Sequence, residues 1–256
     1  MKQYVRVPES YLIKNKGRVT TFQSEEVSDE YVIELLKEKG TVFIKPYGTG
    51  KGNGVDRLVC REGAYYINDS QCSEDEMVQF LKGRDDWFIC EEIKQSGYAS
   101  KIYDKTVNTI RLITFKDIHT HKNKVFFAVQ RIGTSATIPV DNGSKGGLVS
   151  KIDLETGELS AAKSLHNLYV YKFHPDSGEE IEGVKVPGWE QIKETMLRLA
   201  DRFPYLQFIA WDIVVTDDDL CVIEANTSSG VNIIQIWGGQ RKGELGDFYR
   251  YHKAIK

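Results

Sequence analysis

The sequence lacks paired cysteines and long apolar runs. No CxxC pair occurs among its four cysteines, which argues against a structural zinc site and favours reduced thiols. These cysteines are Cys60, Cys72, Cys90 and Cys221. The start, MKQYVRVPES, has no signal-peptide apolar core, and no run of about 18 apolar residues predicts a membrane span. These absences predict a cytoplasmic protein without an integral membrane segment.

The sequence also lacks a strong excess of charge of either sign. Its 34 basic and 37 acidic residues give a net charge of -3, so no overall field favours nucleic acid or an acidic membrane surface. A hydrophobic content of 41% and a charged content of 28% are typical of a globular protein with a sizeable core. We therefore expect an enzyme or binding protein with local anion sites and no nucleic-acid partner.

Two carboxylates stand out near the C-terminus, in the stretch WDIVVTDDDLCVIEANTSSG. Runs rich in Ile and Val flank an acidic turn at residues 216–219, which predicts a β-hairpin. Asp212 lies six residues before Asp218 and Glu224 lies six after it, so the two carboxylates are expected to be cross-strand neighbours. Because like charges directly opposite each other destabilise a sheet, a bound cation is the simplest compensation.

A third oxygen donor, Asn226, lies two residues after Glu224 on the same strand. Its side chain is therefore expected on the same face of the sheet as those of Glu224 and Asp212. Carboxylate and amide oxygens are the ligands that magnesium takes while it keeps other positions for phosphate. The alternative is that Glu224 and Asn226 are ordinary polar residues of an edge strand; residues 217–219 are interpreted as a solvated turn. Two carboxylates embedded among Ile and Val are costly without a partner, which favours the metal site.

A glycine-rich loop, YGTGKGNGV, follows the predicted strand TVFIKP. Its glycines permit close backbone approach to phosphate, with a lysine on the strand before it. The residues assigned to phosphate are Lys45, Gly48, Gly50, Lys51, Gly52 and Gly54. Neither common phosphate motif fits, because Gly52 follows Lys51 where a P-loop needs Ser or Thr, and the dinucleotide spacing of glycines is absent. A flexible hairpin loop with a solvated lysine is the alternative.

Strand-like segments dominate the chain after residue 108 and predict an antiparallel sheet: NTIRLITFK, KVFFAVQRIG, GGLVSKIDLE and LYVYKFH. Helices are predicted after Ser28, after the Ser73 capping box, and over about residues 189–202. Arg111 and Arg131 lie inside strands between apolar neighbours, so each needs an anionic partner or an exposed sheet face. Pointing into water from a half-buried strand is the alternative for either arginine.

The order of these features resembles that of the ATP-grasp superfamily. A lysine precedes a glycine loop, CEEI follows it, and Asp212, Glu224 and Asn226 come last. The stretch EANTSSG is similar to the signature of D-alanine:D-alanine ligases. In this order, NTIR, GGLVSKIDLETG, HPDSG and VPGW resemble the sugar-transfer-associated branch. The resemblance extends from about Lys45 to Gln235.

The resemblance implies an α+β, two-lobed ATP-grasp fold with ATP between a small lobe and a larger antiparallel-sheet lobe. Residues 1–24 are expected as an N-terminal segment, a possible remnant of a preceding domain. Residues 25–95 are expected as the small lobe, and residues 96–256 as the large lobe with the metal site. ATP and Mg²⁺ are the implied cofactors, and a small-molecule carboxylate and an amine are the implied substrates.

The resemblance also implies roles for individual residues. Lys45 would contact the ATP phosphates and the loop at residues 48–54 would cover them. Arg111 resembles a phosphate-contacting arginine, and Arg131 is a weaker candidate for the same role. The hinge that meets adenine and ribose would be Glu91, Glu92 and Ile93, and the magnesium ligands would be Asp212, Glu224 and Asn226.

Two departures from the family pattern bear on the chemistry. Only 44 residues precede Lys45, so the usual first ATP lysine is not evident; Lys14 and Lys16 are possible substitutes, although neither lies in a recognisable strand. D-Alanine ligases have an arginine two residues before the first metal-binding aspartate, where this chain has Ala210. Another group must then handle the charge of a tetrahedral intermediate.

The resemblance implies an ATP-dependent ligase that forms an amide through an acyl phosphate, in polysaccharide, cell-surface or secondary-metabolite biosynthesis. The substrates then do the covalent chemistry, so no Ser/His/Asp or Cys/His set is expected. His166 and His174 are interpreted as turn-structuring or substrate-contacting residues rather than general bases. Two alternatives stay open: a kinase that phosphorylates a small-molecule hydroxyl, and a nucleotide-binding module without turnover.

Overall fold

The computed structural model describes residues 1–48, 53–167 and 169–256, which form two compact units. The first unit comprises Met1–Val7, Gln95–Thr137 and Asp141–Lys256, and the second comprises Pro8–Lys94 and Ile138–Val140. This division differs from the expectation of a separate segment at residues 1–24. Two strands within that stretch belong to the sheet of the second unit, because their backbone groups pair there.

The second unit contains an antiparallel sheet of eight strands among the described residues, in the order β3-β2-β1-β8-β4-β5-β6-β7. The strands are β1 (Ser10–Asn15), β2 (Arg18–Thr21), β3 (Glu26–Val27), β4 (Thr41–Pro46), β5 (Asp56–Arg61), β6 (Ala64–Ile67), β7 (Ser70–Cys72) and β8 (Trp87–Glu91). Strand β4 therefore lies between β8 and β5, and the glycine-rich stretch follows it directly.

Two helices pack on one face of this sheet: α1 (Asp29–Lys39) and α2 (Glu74–Lys82). The Ser28 side chain accepts from the backbone of Tyr31, and Ser73 forms the predicted capping box with Glu76. Both predicted helix starts are therefore confirmed. The core beneath the helices includes Ile44 of β4, so the alternating neighbours of Ile44 point to the opposite face.

The first unit contains an antiparallel sheet of seven strands within the described ranges, in the order β13-β12-β11-β10-β9-β14-β15. The strands are β9 (Ile110–Lys116), β10 (Asn123–Ile132), β11 (Leu148–Lys151), β12 (Ala162–Ser164), β13 (Val170–Tyr171), β14 (Phe208–Val215) and β15 (Leu220–Asn226). The helices are α3 (Gly97–Ile102), α4 (Trp189–Asp201), α5 (Asn232–Gln235) and α6 (Glu244–Tyr251). The predicted α+β class, with two sheets, is confirmed.

The faces of the first unit's sheet are covered to different extents. Helix α4 closes one face with Ile192, Met196 and Leu199 in a large apolar core. On the other face, Ile234 and Leu245 cover a smaller cluster that includes Ala210 of β14, Ile113 of β9 and Val129 of β10. Side chains alternate along a strand, so the residue two positions after Ala210 shares its face. That residue is Asp212, and polar side chains begin there.

None of the helices in the described part of the chain is long and apolar enough to cross a membrane.

Candidate active site

The C-terminal hairpin has the register that the sequence predicts. Strands β14 and β15 are antiparallel, and Asp212 lies directly opposite Glu224. Asn226 pairs with Ala210, so the three oxygen-bearing side chains share one face. Their surroundings differ: Asp212 is 5% exposed, whereas Glu224 is exposed and Asn226 is half-buried. The predicted cross-strand carboxylate pair is confirmed.

Arginines compensate the charge of Asp212. Arg111 lies opposite Asp212 on β9 and donates from Nε to Oδ1 and from Nη2 to Oδ2, the latter at 2.8 Å. Arg131 donates to Oδ2 from Nη1 at 3.1 Å. The expectation that a cation is the simplest compensation is therefore incomplete, because two guanidinium groups already face this carboxylate. Neither arginine points into water, since their side chains are 16% and 15% exposed.

A second aspartate, Asp141, holds Arg131 from the other side. Its Oδ1 lies 2.6 Å from Nη2 of Arg131, and its Oδ2 accepts from the backbone and hydroxyl of Thr109 at 2.7 and 2.6 Å. Burial opposes the charged form of Arg131, but Asp141 and Asp212 outweigh it and raise the pKa of the guanidinium. Asp141 thereby fixes the position of an arginine that also contacts Asp212.

Sequence patterns did not indicate Asp141, because it lies in a turn-rich stretch ten residues from Arg131. The one available signal was Arg131 itself, which inside a strand needed an anionic partner. Ser229 was also missed; its hydroxyl accepts from Nη1 of Arg111 at 2.8 Å. The polar network thus runs from Thr109 to Ser229 through alternating acids and arginines.

The oxygen donors on this face fit a hard divalent cation. Two carboxylates and an amide are an oxygen-only set, which suits magnesium. The Nδ2 atom of Asn226 is buried without a hydrogen-bond partner, and a half-turn of the side-chain amide would place its oxygen there for a cation. Asp212 accepts three bonds from arginines, which leaves one of its about four acceptor positions. No group of three or more His, Cys, Asp or Glu side chains able to hold a metal exists among the described residues, so a magnesium site here depends on Asn226.

In the second unit, Lys45 lies on the sheet face opposite the helices. It follows Ile44 on β4, and its Nζ is 5.9 Å from the ring centroid of Phe43. Arg57 of β5 pairs with Phe43 and therefore shares this face. Its Nε is buried without a partner, whereas Nη2 bonds Asp69 at 2.8 Å. This face therefore carries two cations, one of which, Arg57, the sequence did not indicate.

The predicted hinge follows β8. Burial raises the pKa of the Glu92 carboxyl, although Arg57 and Lys94 oppose the shift. Ile93 is 3% exposed, and a carboxylate oxygen of Glu91 accepts from the backbone N–H of Glu9 at 3.1 Å. The structure thus places Glu92 near a cation and Glu91 against the backbone of the chain's own N-terminal part.

The glycine loop is described only at its ends. Gly48 and Gly54 have φ values of 84° and 73°, a left-handed conformation that favours glycine. A Cβ added at Gly54 would also lie 3.1 Å from the Pro46 ring. The remaining predicted phosphate contacts of the loop, Gly50, Lys51 and Gly52, lie outside the described residues.

Lys14 does lie in a strand, which corrects the sequence-based view. It is part of β1 and is 4% exposed, and its Nζ donates to the carbonyl of Leu81 at 2.9 Å. Asp29 lies 3.9 Å from the same Nζ. Lys14 shares its strand face with Leu12 of the helix-covered core, so this lysine has a structural role there. Lys16 lies in the following turn with φ of 51°.

His174 is buried in a turn. Its Nε2 lies 2.7 Å from the carbonyl of Gly133, and its Nδ1 accepts from the backbones of Asp176 and Ser177 at 3.3 and 3.2 Å. The ring stacks on Tyr103 with centroids 4.5 Å apart. Burial lowers the pKa of His174. These contacts are those of a turn-structuring residue.

The chain matches the family described as sugar-transfer associated ATP-grasp over residues 1–243, and it belongs to this family. No curated protein sequence matches it.

Several solved structures are similar at low identity. One is the ATP-grasp ligase PsnB complexed with minimal precursor, Mg and ADP, at 12% identity and a TM-score of 0.47, covering 99% of this chain and 54% of that chain. Another is the ADP complex of purK, N5-carboxyaminoimidazole ribonucleotide synthetase, at 14% identity and a TM-score of 0.47; the match covers 90% of this chain and 43% of that chain. A third is D-alanine–D-alanine ligase from Bacillus anthracis, at 14% identity and a TM-score of 0.43; the match covers 90% of this chain and 54% of that chain. The chain thus spans between 43% and 54% of the length of these three proteins.

Proposed function

We propose that this protein is an ATP-dependent ligase that joins a carboxylate to an amine through an acyl phosphate. The observation that carries the proposal is the face on which Asp212, Glu224 and Asn226 lie beside Arg111 and Arg131, in a chain of the ATP-grasp family. Phosphoryl transfer is catalysed by a divalent cation held by oxygen ligands and by guanidinium groups, which stabilise the negative charge on the phosphoryl group. No side-chain nucleophile is required.

In this reaction, a carboxylate oxygen of the first substrate attacks the γ-phosphorus of ATP, and ADP leaves. The amine nitrogen of the second substrate then attacks the acyl carbon, and inorganic phosphate and a proton leave. The protein's task is therefore to position the reactants and to stabilise developing negative charge.

The residues that would bind the nucleotide and those that would bind magnesium are assigned within each unit by itself. Lys45 and Arg57 supply positive charge for phosphate oxygens, and the backbone at Glu92 and Ile93 would meet adenine. Asp212, Glu224 and Asn226 would hold Mg²⁺, which when bound neutralises charge on the phosphates.

Arg111 and Arg131 would stabilise the anionic intermediates. Ala210 stands where related ligases carry an arginine, and it is fully buried beneath Ile234 and Leu245, so no cation reaches the site from there. Arg111 lies one strand away, directly opposite Asp212, and Arg131 contacts the same carboxylate. Both guanidinium groups contact Asp212, the proposed magnesium ligand, which supports their role as replacements.

The finer setting is also a proposal. The family's description as sugar-transfer associated supports a place in polysaccharide, cell-surface or secondary-metabolite biosynthesis. The need for ATP and the four free cysteines support a cytoplasmic location. The substrates would be small molecules.

The proposal is tested by incubating the protein with Mg-ATP and a library of carboxylates and amines and identifying products by mass spectrometry. ADP together with an amide is expected, with one ¹⁸O atom passing from labelled carboxylate to inorganic phosphate. ADP with a phosphorylated alcohol would instead identify a kinase. Nucleotide-dependent stabilisation without ADP formation would identify a binding module. Omission of magnesium and omission of the carboxylate are the controls.

A further inference from the structure

A pocket of about 500 Å³ lies in the first unit, at the edge where β10, β11 and β12 meet their loops. The volume is in the range of sites for small ligands. Its polar lining includes Ser135, Ser144, His166, Asn167, Tyr171 and Asp176. Among the described lining residues, only Leu148 and Pro175 are aliphatic.

One wall of the pocket is built on buried His174. The Nδ1 atom of His174 accepts from the backbone N–H of Asp176, which sets the turn that carries this aspartate. The carboxylate of Asp176 in turn accepts from the backbone and hydroxyl of Ser135 at 2.7 and 3.0 Å. The wall is therefore held by side chains that are already satisfied, and it needs no ligand to form.

The opposite wall is a tight loop. The Oδ1 of Asn142 accepts from the backbone and hydroxyl of Ser144, both at 2.9 Å, and Gly147 donates its N–H to the carbonyl of Asn142 at 3.1 Å. A Cβ added at Gly147 would lie 2.8 Å from the carbonyl oxygen of Asp141, so only glycine permits this close approach. The loop is thereby fixed against the strand end.

Each wall of the pocket contains a residue that is close in sequence to the arginine–aspartate network. Thr134 lines the pocket three residues after Arg131, and Ser144 lines it three residues after Asp141. Arg131 and Asp141 are joined at 2.6 Å, and three residues span at most about 11 Å. The pocket therefore adjoins the group of side chains to which the proposed function assigns the reaction.

The lining defines the chemistry of the ligand. Hydroxyl, amide and imidazole groups surround the space, and Tyr171 accepts from Asn167 at 3.2 Å, which leaves its hydroxyl hydrogen directed elsewhere. Lys145 and Asp176 contribute opposite charges, so the described part of the lining carries no excess of positive charge for a phosphate dianion. A molecule with hydroxyls on several sides satisfies this lining.

We propose that this pocket binds a polyhydroxylated, carbohydrate-type molecule, which is one of the two reactants that are joined. The assignment as a reactant rests on the proposed ligase function; the binding of a polyol rests only on the pocket. The carboxylate or the amine would be carried by the same molecule, as in a sugar acid or an amino sugar.

Saturation-transfer NMR on the full chain tests the binding directly, with glucosamine, glucuronate and myo-inositol as probes and alanine and butylamine as comparisons. We expect at least one of the three polyols to bind. Tyr171→Phe and Asn167→Ala should each weaken that binding about three- to tenfold, as expected for one hydrogen bond. Tyr205→Phe, at a residue that is 92% exposed and outside the pocket, is the matched control and should leave it unchanged.

The outcomes separate this inference from the proposed function. Thermal melting first establishes which variants fold, and Asn167→Ala serves alone if Tyr171→Phe does not. Polyol binding that both variants leave intact, or binding of alanine or butylamine but of no polyol, overturns the pocket assignment. ADP and amide formation that persists in the pocket variants with an unchanged KM for both substrates overturns the assignment of the bound molecule as a reactant, while the ligase function stands. If the variants weaken polyol binding but the wild type forms no ADP with any substrate pair, the pocket assignment stands and the ligase function is refuted.

Discussion

Asp212 and Glu224 face each other across the β14–β15 pair, yet only Asp212 is buried against arginines. The charge of Asp212 is compensated by two guanidinium groups that lie on neighbouring strands. Glu224 is exposed at the same face and is available to a further cation. The two members of one carboxylate pair are thus expected to respond differently to substitution.

Glu224→Gln should change the melting temperature of the metal-free protein little, because surface substitutions away from packed groups usually alter the free energy of unfolding by within about 0.5 kcal/mol. The variant should gain little stability from Mg-ATP and lose ADP formation, since binding stabilises only a native state that holds the ligand. Thermal melts in EDTA and in Mg-ATP measure both effects. Glu155→Gln, at another exposed glutamate, is the control, and an equal Mg-ATP shift in both variants would reject the metal site.

Asp141→Asn should lower the free energy of unfolding by about 1 to 3 kcal/mol, because it removes the charge that faces buried Arg131. An asparagine oxygen can still accept from Thr109, so the fold should persist. We expect kcat for ADP formation to fall with little change in the KM for ATP, since both carboxylate oxygens of Asp141 are engaged by Arg131 and Thr109 and its proposed role is to position that arginine. Urea unfolding and steady-state kinetics measure these quantities.

The control for Asp141→Asn is Asp153→Asn, at an exposed turn aspartate that also accepts backbone hydrogen bonds. That variant should retain kcat. A rise in the KM for ATP with unchanged kcat in Asp141→Asn would contradict the positioning role.

Lys45→Ala should weaken ATP binding by about 1.5 to 3 kcal/mol, the usual range for a charge-assisted contact to phosphate, while the fold stays intact. Glu92→Gln should weaken it less, because the proposed hinge contact uses the backbone. Calorimetric titration with ATP compares the two variants with the wild type. Unchanged affinity in Lys45→Ala would reject this lysine as a phosphate ligand, and a larger loss in Glu92→Gln would make that side chain a principal ligand.

His174 should make stability depend on pH. Burial lowers the pKa of His174 in the folded state. In the unfolded chain the pKa of a histidine is about 6.5, so below that pH the folded protein binds fewer protons at this site than the unfolded chain does. Stability is therefore complete above that pH and is lost as the pH falls below it. Protonated Nδ1 would also face the N–H groups of Asp176 and Ser177 instead of accepting from them.

The pH dependence is measured as the urea midpoint between pH 7.5 and pH 5.5 in the wild type and in His174→Gln. The variant should be less stable at pH 7.5 but should lose less on acidification. His119→Gln, at an exposed histidine, should keep the wild-type pH dependence. An identical acid loss in His174→Gln and the wild type would show that another group is responsible.

Features set by neighbouring residues were predictable from the sequence. The helix starts at Ser28 and Ser73 depend on hydrogen bonds within one turn. The alignment of Asp212 with Glu224 depends on the nearby turn, which pairs Val215 with Leu220, and on a register shift between Asp212 and Ile213. The α+β class followed from alternating strand patterns and from the family resemblance. In each case the determining groups lie within a few residues of one another.

Features set by contacts between distant residues were decided only by the tertiary structure. Residues 10–21 had no sequence signal for joining the second unit's sheet, because their partner strand begins at Trp87. The compensation of Asp212 needed β9 beside β14 and β10 beside β9, and the role of Asp141 needed a loop folded back onto Arg131. Spacing along the chain carries no record of such contacts, since they form only when packing brings separate strands and loops together.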